Sequence, residues 1–194
     1  MDQFEAFILA GGASSRMGTD KSQLLIERQT FTERIAETLF KLTDSVSIVG
    51  GPSQLTLPSV PDIYQQCGAL GGLHAAFSAC KREWAIVVAC DLPFVTAELF
   101  SFLGERRVDH DAVVPIQIDA RPQPLCALYR VDPCRQRAAE VIERGRRRPL
   151  YLLEVVRTCW VHFDELRNLS QAQRFFVNIN TPEDYDEAIR GYSH

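Results

Sequence analysis

Ala85-Ile86-Val87-Val88-Ala89-Cys90-Asp91-Leu92-Pro93 is the stretch whose reading decides the fold. Six apolar residues in a row, stopped by an acid and a proline, read as a strand buried on both faces of a parallel sheet. Upstream of it, a helix is expected from about Gly71-Gly72, carrying Leu73, Ala76, Phe77 and Cys80. Before that come a strand at Val46–Val49, stopped by Gly50-Gly51-Pro52, and a capping box at Thr30-x-x-Glu33. The box starts a helix with Ile35, Ala36, Leu39 and Leu42 on one face. Phe7-Ile8-Leu9-Ala10 is a further buried strand, ending in Gly11-Gly12. Downstream, Asp111–Pro115 and Leu125–Tyr129 read as strands, and Asp132-Pro133 opens a helix that ends near Gly145. Thr181-Pro182-Glu183-Asp184 supplies an N-cap, a proline at the first helical position and acids in the first turn.

Strands alternating with helices predict an α/β protein with a doubly wound, mostly parallel, Rossmann-like sheet. In such sheets ligands bind beyond the carboxyl ends of the strands. The glycine run after Ala10 and the acid Asp91 both lie at such ends.

The 194 residues carry 46% apolar and 24% charged side chains, an ordinary globular mixture that fits one domain over 1–194. The formal charge of −4 argues against a generally basic nucleic-acid binder. No apolar run nears the roughly 18 residues of a membrane span. The start, Met1-Asp2-Gln3-Phe4-Glu5, lacks the features of a signal peptide. The six cysteines form no C-x-x-C pair and the four histidines are scattered, which argues against structural zinc. A soluble cytoplasmic protein with reduced thiols is expected.

Three segments could carry chemistry. The first is Leu9-Ala10-Gly11-Gly12-Ala13-Ser14-Ser15-Arg16-Met17-Gly18-Thr19-Asp20-Lys21. Glycines let backbone N–H groups surround phosphate oxygens. Ser14 and Ser15 add hydroxyls, and Arg16 and Lys21 add cationic donors. With only three lysines in the chain, Lys21 is notable. The string is neither a Walker A motif nor G-x-G-x-x-G. A plain strand-to-helix turn with solvated charges remains the alternative to phosphate binding. The second segment is Asp91-Leu92-Pro93: a carboxylate at a strand end can hold Mg²⁺, or merely start a turn. The third is Asn178-Ile179-Asn180-Thr181-Pro182-Glu183-Asp184, whose two amides share one side of an extended segment. They could face a ligand or belong to a helix cap.

The first string resembles the L-A-G-G-x-S-x-R-M-G-x-D-K signature of the molybdenum cofactor guanylyltransferases, and every fixed position is present. Asp91-Leu92-Pro93 is similar to the family's D-x-P element, and Asn178 to Asp184 to its N-x-N-T-P-E-D element. The resemblance spans Leu9 to Asp184. It implies a nucleotidyltransferase fold, with an N-terminal part that binds GTP and a C-terminal part that binds the molybdopterin acceptor. It implies a guanine pocket lined by Leu9, Ala10 and Gly11, and phosphates held by Gly12, Ser14, Arg16 and Lys21. Asp91 would carry catalytic Mg²⁺, and Asn178 and Asn180 would face the reacting phosphates and acceptor. Asp62 and Gly51 fall near further nucleotide contacts. Gly68-Ala69-Leu70-Gly71-Gly72 resembles the family's G-P-L-x-G turn, with Ala69 in place of proline. Arg121-Pro122-Gln123 resembles a segment of the acceptor half that often has His where Gln123 stands.

The implied reaction joins GMP from GTP to molybdenum-bound molybdopterin and releases pyrophosphate. Delivery proteins or recipient apoenzymes are candidate partners. A molybdopterin cytidylyltransferase or another nucleotidyltransferase is the nearest alternative, although those more often read L-A-A-G. A non-catalytic nucleotide-binding module is the alternative from another class, against which Lys21, Asp91 and Asn180 together argue. Arg144, Arg146, Arg147 and Arg148 read as a solvated helix end or a dock for an anion. His74, His162, Trp84 and Trp160 read as structural residues.

Overall fold

The computed structural model describes residues 3–10, 25–26, 28–50, 57–179, 181 and 183–186. From the start of the chain come strand β1 (Phe4–Leu9), a hairpin of β2 (Leu25–Ile26) and β3 (Gln29–Thr30), and helix α1 (Phe31–Leu39). Strands β4 (Val46–Val49) and β5 (Ser59–Val60) follow, then α2 (Gly68–Ala79), β6 (Trp84–Ala89) and α3 (Ala97–Gly104). The later part holds β7 (Ala112–Pro115), β8 (Cys126–Arg130), α4 (Val131–Glu143), α5 (Leu150–Leu153), β9 (Thr158–Val161) and α6 (Phe163–Leu166). No helix among the described residues is long and apolar enough to cross a membrane.

Seven strands make one sheet in the order β5-β4-β1-β6-β8-β7-β9. β5, β4, β1 and β6 run parallel, and β7 runs parallel to β9. β8 runs against both of its neighbours. The sheet is therefore mostly parallel, but β6 meets a parallel partner on one side and an antiparallel one on the other. From β1 the chain steps outward to β4 and β5, then α2 returns it to β6 on the other side of β1. The winding reverses between β1 and β6, and such a reversal opens a crevice at the carboxyl ends.

Side-chain alternation along each strand feeds two cores, one per face. Ala6, Ile8, Ile86, Val88 and Leu128 meet Ile35 and Leu39 of α1 and Leu99 and Phe100 of α3. Phe7, Leu9, Val87, Ala127 and Tyr129 meet Leu73 and Phe77 of α2 and Cys134 and Ala138 of α4. Helices cover both faces, so the double winding is present.

The cap signals act as read. Thr30 Oγ1 accepts from Glu33 N at 3.2 Å, and the Glu33 carboxylate accepts from Thr30 N at 2.8 Å. Gly145 takes φ +76 just past α4, where the chain must turn left-handed to leave the helix. At the end of the chain, Thr181 and Asp184 cap each other's backbone N–H at 3.1 and 2.9 Å. α2 begins at Gly68, ahead of the expected Gly71-Gly72, which makes Gly68-Ala69-Leu70-Gly71-Gly72 the first turns of a helix. Gly71 serves close packing: a Cβ there would lie 2.9 Å from the Tyr64 carbonyl oxygen and 3.0 Å from Cys67 Cβ.

Candidate active site

The carboxyl ends of β1 and β6 are joined directly. Cys90 N donates to the Leu9 carbonyl at 3.0 Å, and Ala10 N donates to Val49 O at 2.9 Å. Leu9 and Ala10, the first residues of the glycine-rich string, thus lie beside the turn that carries Asp91. Gly11, Gly12, Ser14, Arg16 and Lys21 lie outside the described residues, as do Gly51 and Asn180.

Asp91 is half-buried, one residue beyond Cys90, at the winding reversal. The residues after it, Leu92 through Val95, are buried. Leu92 N bonds to Ala89 O at 3.2 Å, which closes the turn. The carbonyl of Asp91 accepts from Ile179 N at 3.1 Å, and that of Pro93 accepts from Arg34 Nε at 3.1 Å.

The Ile179 bond brings the third sequence segment to the second. Ile179 is fully buried with Ile26, Phe31 and Phe94, a small third core joined by Val177 and Tyr185. Tyr185 Oη donates to the Leu25 carbonyl at 2.7 Å and adds a polar tie to the same hairpin. With Ile179 turned inward, its neighbour Asn178 is exposed beside the Asp91 turn. The alternation expected of Asn178-Ile179-Asn180 holds for its two described members.

α2 forms a wall of this crevice. A Cβ on Gly72 would come within 3.1 Å of Leu9 Cδ2, so the absence of a side chain lets the helix lie against Leu9. Arg121 and Gln123 lie in the β7–β8 connection at the same sheet edge, where Gln123 N donates to Pro115 O at 2.9 Å. Asp62 is exposed two residues past β5, also at this edge but two strands from β1, about 10 Å away at the usual strand spacing. The structure therefore brings Leu9, Ala10, Asp91 and Asn178 together and leaves Asp62 at the periphery.

The residues read as structural are so placed. His74 is buried on α2, edge-on to Tyr64 at 4.7 Å, and burial lowers its pKa and holds the ring neutral. His162 precedes α6, and its N–H donates to Glu165 at 3.1 Å. Trp84 is buried in β6 and Trp160 is partly exposed on β9. In the arginine cluster, Arg147 donates to Gln66 O at 3.0 Å and Arg146 stacks on Tyr151 at 4.6 Å.

Among the described residues no three His, Cys, Asp or Glu side chains converge as a metal cage. Zinc favours thiolate and imidazole ligands, and Asp91 offers a carboxylate. A carboxylate suits magnesium, which takes one or two carboxylates and completes its shell with water and substrate phosphates. Sequence reasoning missed Arg34 and the buried role of Ile179. The apolar spacing of Ile26, Phe31, Phe94 and Ile179 was the available signal, but those residues are scattered over 150 positions.

Comparison with known proteins bears on the family and the fold. The family model described as MobA-like NTP transferase domain matches residues 6–162. A "Probable molybdenum cofactor guanylyltransferase" of Clostridium perfringens is 32% identical over 95% of this chain and 96% of its own. One of Pelotomaculum thermopropionicum with the same name is 34% identical over 97% and 93%. Among solved structures, molybdopterin-guanine dinucleotide biosynthesis protein A of Archaeoglobus fulgidus superposes with a TM-score of 0.83 at 25% identity, covering 97% of this chain and 98% of its own. The 2-C-methyl-D-erythritol 4-phosphate cytidylyltransferase of Thermus thermophilus, at 17% identity, has a TM-score of 0.69 and covers 98% of each chain, a likeness of fold alone.

Proposed function

This chain belongs to the MobA-like NTP transferase family, and on that premise we propose that it transfers GMP from GTP to molybdenum-bound molybdopterin, releasing pyrophosphate. It is a nucleotidyltransferase of molybdenum cofactor biosynthesis. One observation carries the finer reading: the ends of β1 and β6 meet at the winding reversal, with Leu9 bonded to Cys90 and Asp91 next in line. The nucleotide loop and the metal carboxylate of the family signature would then share one crevice.

The acceptor's terminal phosphate is already anionic at neutral pH, so its attack on the α-phosphorus of GTP needs no base. A new P–O bond forms as the bond to the bridging oxygen breaks, and pyrophosphate leaves with the electron pair. Two anions must be brought together and the charge on the leaving group stabilised, so positioning and electrostatics carry the catalysis. Leu9, Ala10 and Gly11 are the residues assigned to the base in this reading. Gly12, Ser14, Arg16 and Lys21 offer N–H, hydroxyl and cationic donors to the triphosphate. Asp91 would hold Mg²⁺, which would supply neutralisation of phosphate charge. Asn178 and Asn180 orient the acceptor side through neutral amides, which add no repulsion between the anions.

The test is pyrophosphate release with Mg²⁺, molybdenum-bound molybdopterin and each of the four nucleoside triphosphates. GTP is expected to give the highest kcat/KM, because a pocket that pairs one base edge strands polar groups against another. Preference for CTP would move the chain to cytidylyl transfer, and no release with any nucleotide would end the reading.

A further inference from the structure

We propose that Arg34 is a positioning residue for the Asp91 carboxylate, an inference that rests on the functional reading above. Among the described residues, the turn after β6 has two outward ties on its carbonyls. Asp91 O accepts from Ile179 N, and Pro93 O accepts from Arg34 Nε, each at 3.1 Å. Proline has no N–H, so the carbonyl is its backbone's one polar handle. Arg34 holds that handle from α1, 59 residues away in sequence.

The anchor behind Arg34 is firm. α1 starts in a capping box and buries Phe31, Ile35, Ala36 and Leu39. The far side of the turn is fixed too, since Phe94 is buried with Arg174 4.1 Å over its ring. A cavity of about 230 Å³ lined by Arg34, Lys41, Pro93 and Thr96 adjoins the bond. Loss of the guanidinium would leave water there instead of a fixed donor. The turn would keep its fold through Leu92 and Phe94 but lose the tie nearest the metal carboxylate on the α1 side.

Partners that orient a metal ligand without touching the metal typically account for about 10- to 100-fold in metal affinity or activity. Arg34→Met keeps the length and apolar stem and removes the donor. The readout is Mn²⁺ binding, followed by electron paramagnetic resonance in the presence of GTP, beside Mg²⁺-dependent turnover and a melting curve. Arg34→Met is expected to weaken Mn²⁺ binding about 10-fold or more, to lower kcat, and to leave metal-free GTP binding near wild type. Arg34→Lys, which keeps a cationic donor, should recover part of the loss.

Thr43→Val is the matched control. It removes a side-chain bond to a backbone carbonyl, Thr43 Oγ1 to Phe4 O at 2.7 Å, at the opposite edge of the sheet. It should lower the melting temperature and leave Mn²⁺ binding unchanged. If Arg34→Met does not fold, Arg34→Leu, likewise without a donor, serves the same comparison. Wild-type Mn²⁺ affinity in the folded Arg34 variant, or an equal loss in Thr43→Val, overturns the inference. A wild-type protein without GTP-dependent Mn²⁺ binding, or an Asp91→Asn variant that binds Mn²⁺ as tightly, sinks the functional reading itself.

Discussion

Two adjacent glycines of α2 should respond to the same substitution in opposite ways. Alanine in place of glycine inside a helix gains about 0.8–1.0 kcal/mol from propensity. At Gly71 the added Cβ would meet the Tyr64 carbonyl oxygen at 2.9 Å and Cys67 Cβ at 3.0 Å. The oxygen is backbone, so the loop before α2 or the helix itself must shift. Overpacking of that kind costs about 1–3 kcal/mol. Gly71→Ala should therefore be destabilised, at the midpoint by about 1 kcal/mol net, or about 2–4 °C for a chain of this size. At Gly72 the new Cβ would meet only Leu9, at 3.1 Å from Cδ2 and 3.5 Å from Cγ. A leucine end can rotate away by a few tenths of an ångström. Gly72→Ala should fold with wild-type stability or better.

Its cost should appear elsewhere, because Leu9 is the side chain proposed to line the base pocket. KM for GTP should rise in Gly72→Ala while KM for the molybdopterin acceptor stays put. The assays are thermal unfolding of both variants and a two-substrate kinetic analysis of Gly72→Ala. If Gly71→Ala is as stable as wild type, the close approach of α2 to Tyr64 is wrong. If Gly72→Ala leaves KM for GTP unchanged, Leu9 does not touch the nucleotide.

Other expectations are independent of α2. Asp91→Asn should melt near the wild-type temperature yet lose nearly all Mg²⁺-dependent turnover; wild-type turnover and Mg²⁺ dependence in this variant would remove Asp91 as the ligand. Lys21→Ala should lower turnover about 10²-fold or more, as loss of one strong electrostatic donor does. Lys41→Ala, exposed just past α1, should change little, and equal activities would take Lys21 out of the mechanism. The Asp111 carboxyl is held below its usual range, first by hydrogen bonds from the Arg157 side chain. Its contribution to stability is therefore full above the unfolded carboxyl pKa of about 3.9 and lost as pH falls through the lower folded value. The melting-temperature advantage of wild type over Asp111→Asn should shrink below about pH 4 and should be constant from pH 6 to 8.

Much of the fold was legible because its signals are local. The six apolar residues from Ala85, the Thr30-x-x-Glu33 box and Gly145 each act within one turn or one strand, and each sits where its chemistry placed it. Other features depend on partners that are distant in sequence. Nothing in Cys126-Ala127-Leu128-Tyr129 says that it runs antiparallel, since a strand buried on both faces has the same apolar content in either direction. The family resemblance casts Gly68 to Gly72 as a turn, with a helix expected only from about Gly71-Gly72. The segment is helical because α2 must pass within contact distance of both Tyr64 and Leu9. For the site, strand-end position singled out Asp91, and spacing singled out Asn178. Arg34 was invisible because an arginine one turn into a helix looks solvated until the acceptor, here the Pro93 carbonyl, is located.

The two edges of the sheet hold their polar groups in different ways. Glu5, Thr43 and Asp111, all buried at the amino edge, are hydrogen-bonded there. Glu5 accepts from Ser45 Oγ at 2.9 Å and Lys81 N at 2.7 Å, Thr43 donates to Phe4 O, and Asp111 accepts from Arg157 Nε at 3.0 Å. A satisfied buried polar group is costly to disturb, so these residues pin the strand starts. At the carboxyl edge the described ties to the Asp91 turn run through backbone carbonyls at 91 and 93. Holding a turn by its carbonyls fixes where its side chain is presented. β6 separates the edges by six residues, about 20 Å at 3.3 Å per residue. At that distance ordinary salt screens the charges of one edge from those of the other. Acid loss of the Asp111 pair should therefore lower the melting temperature without moving the Mg²⁺ dependence of turnover in the protein that remains folded.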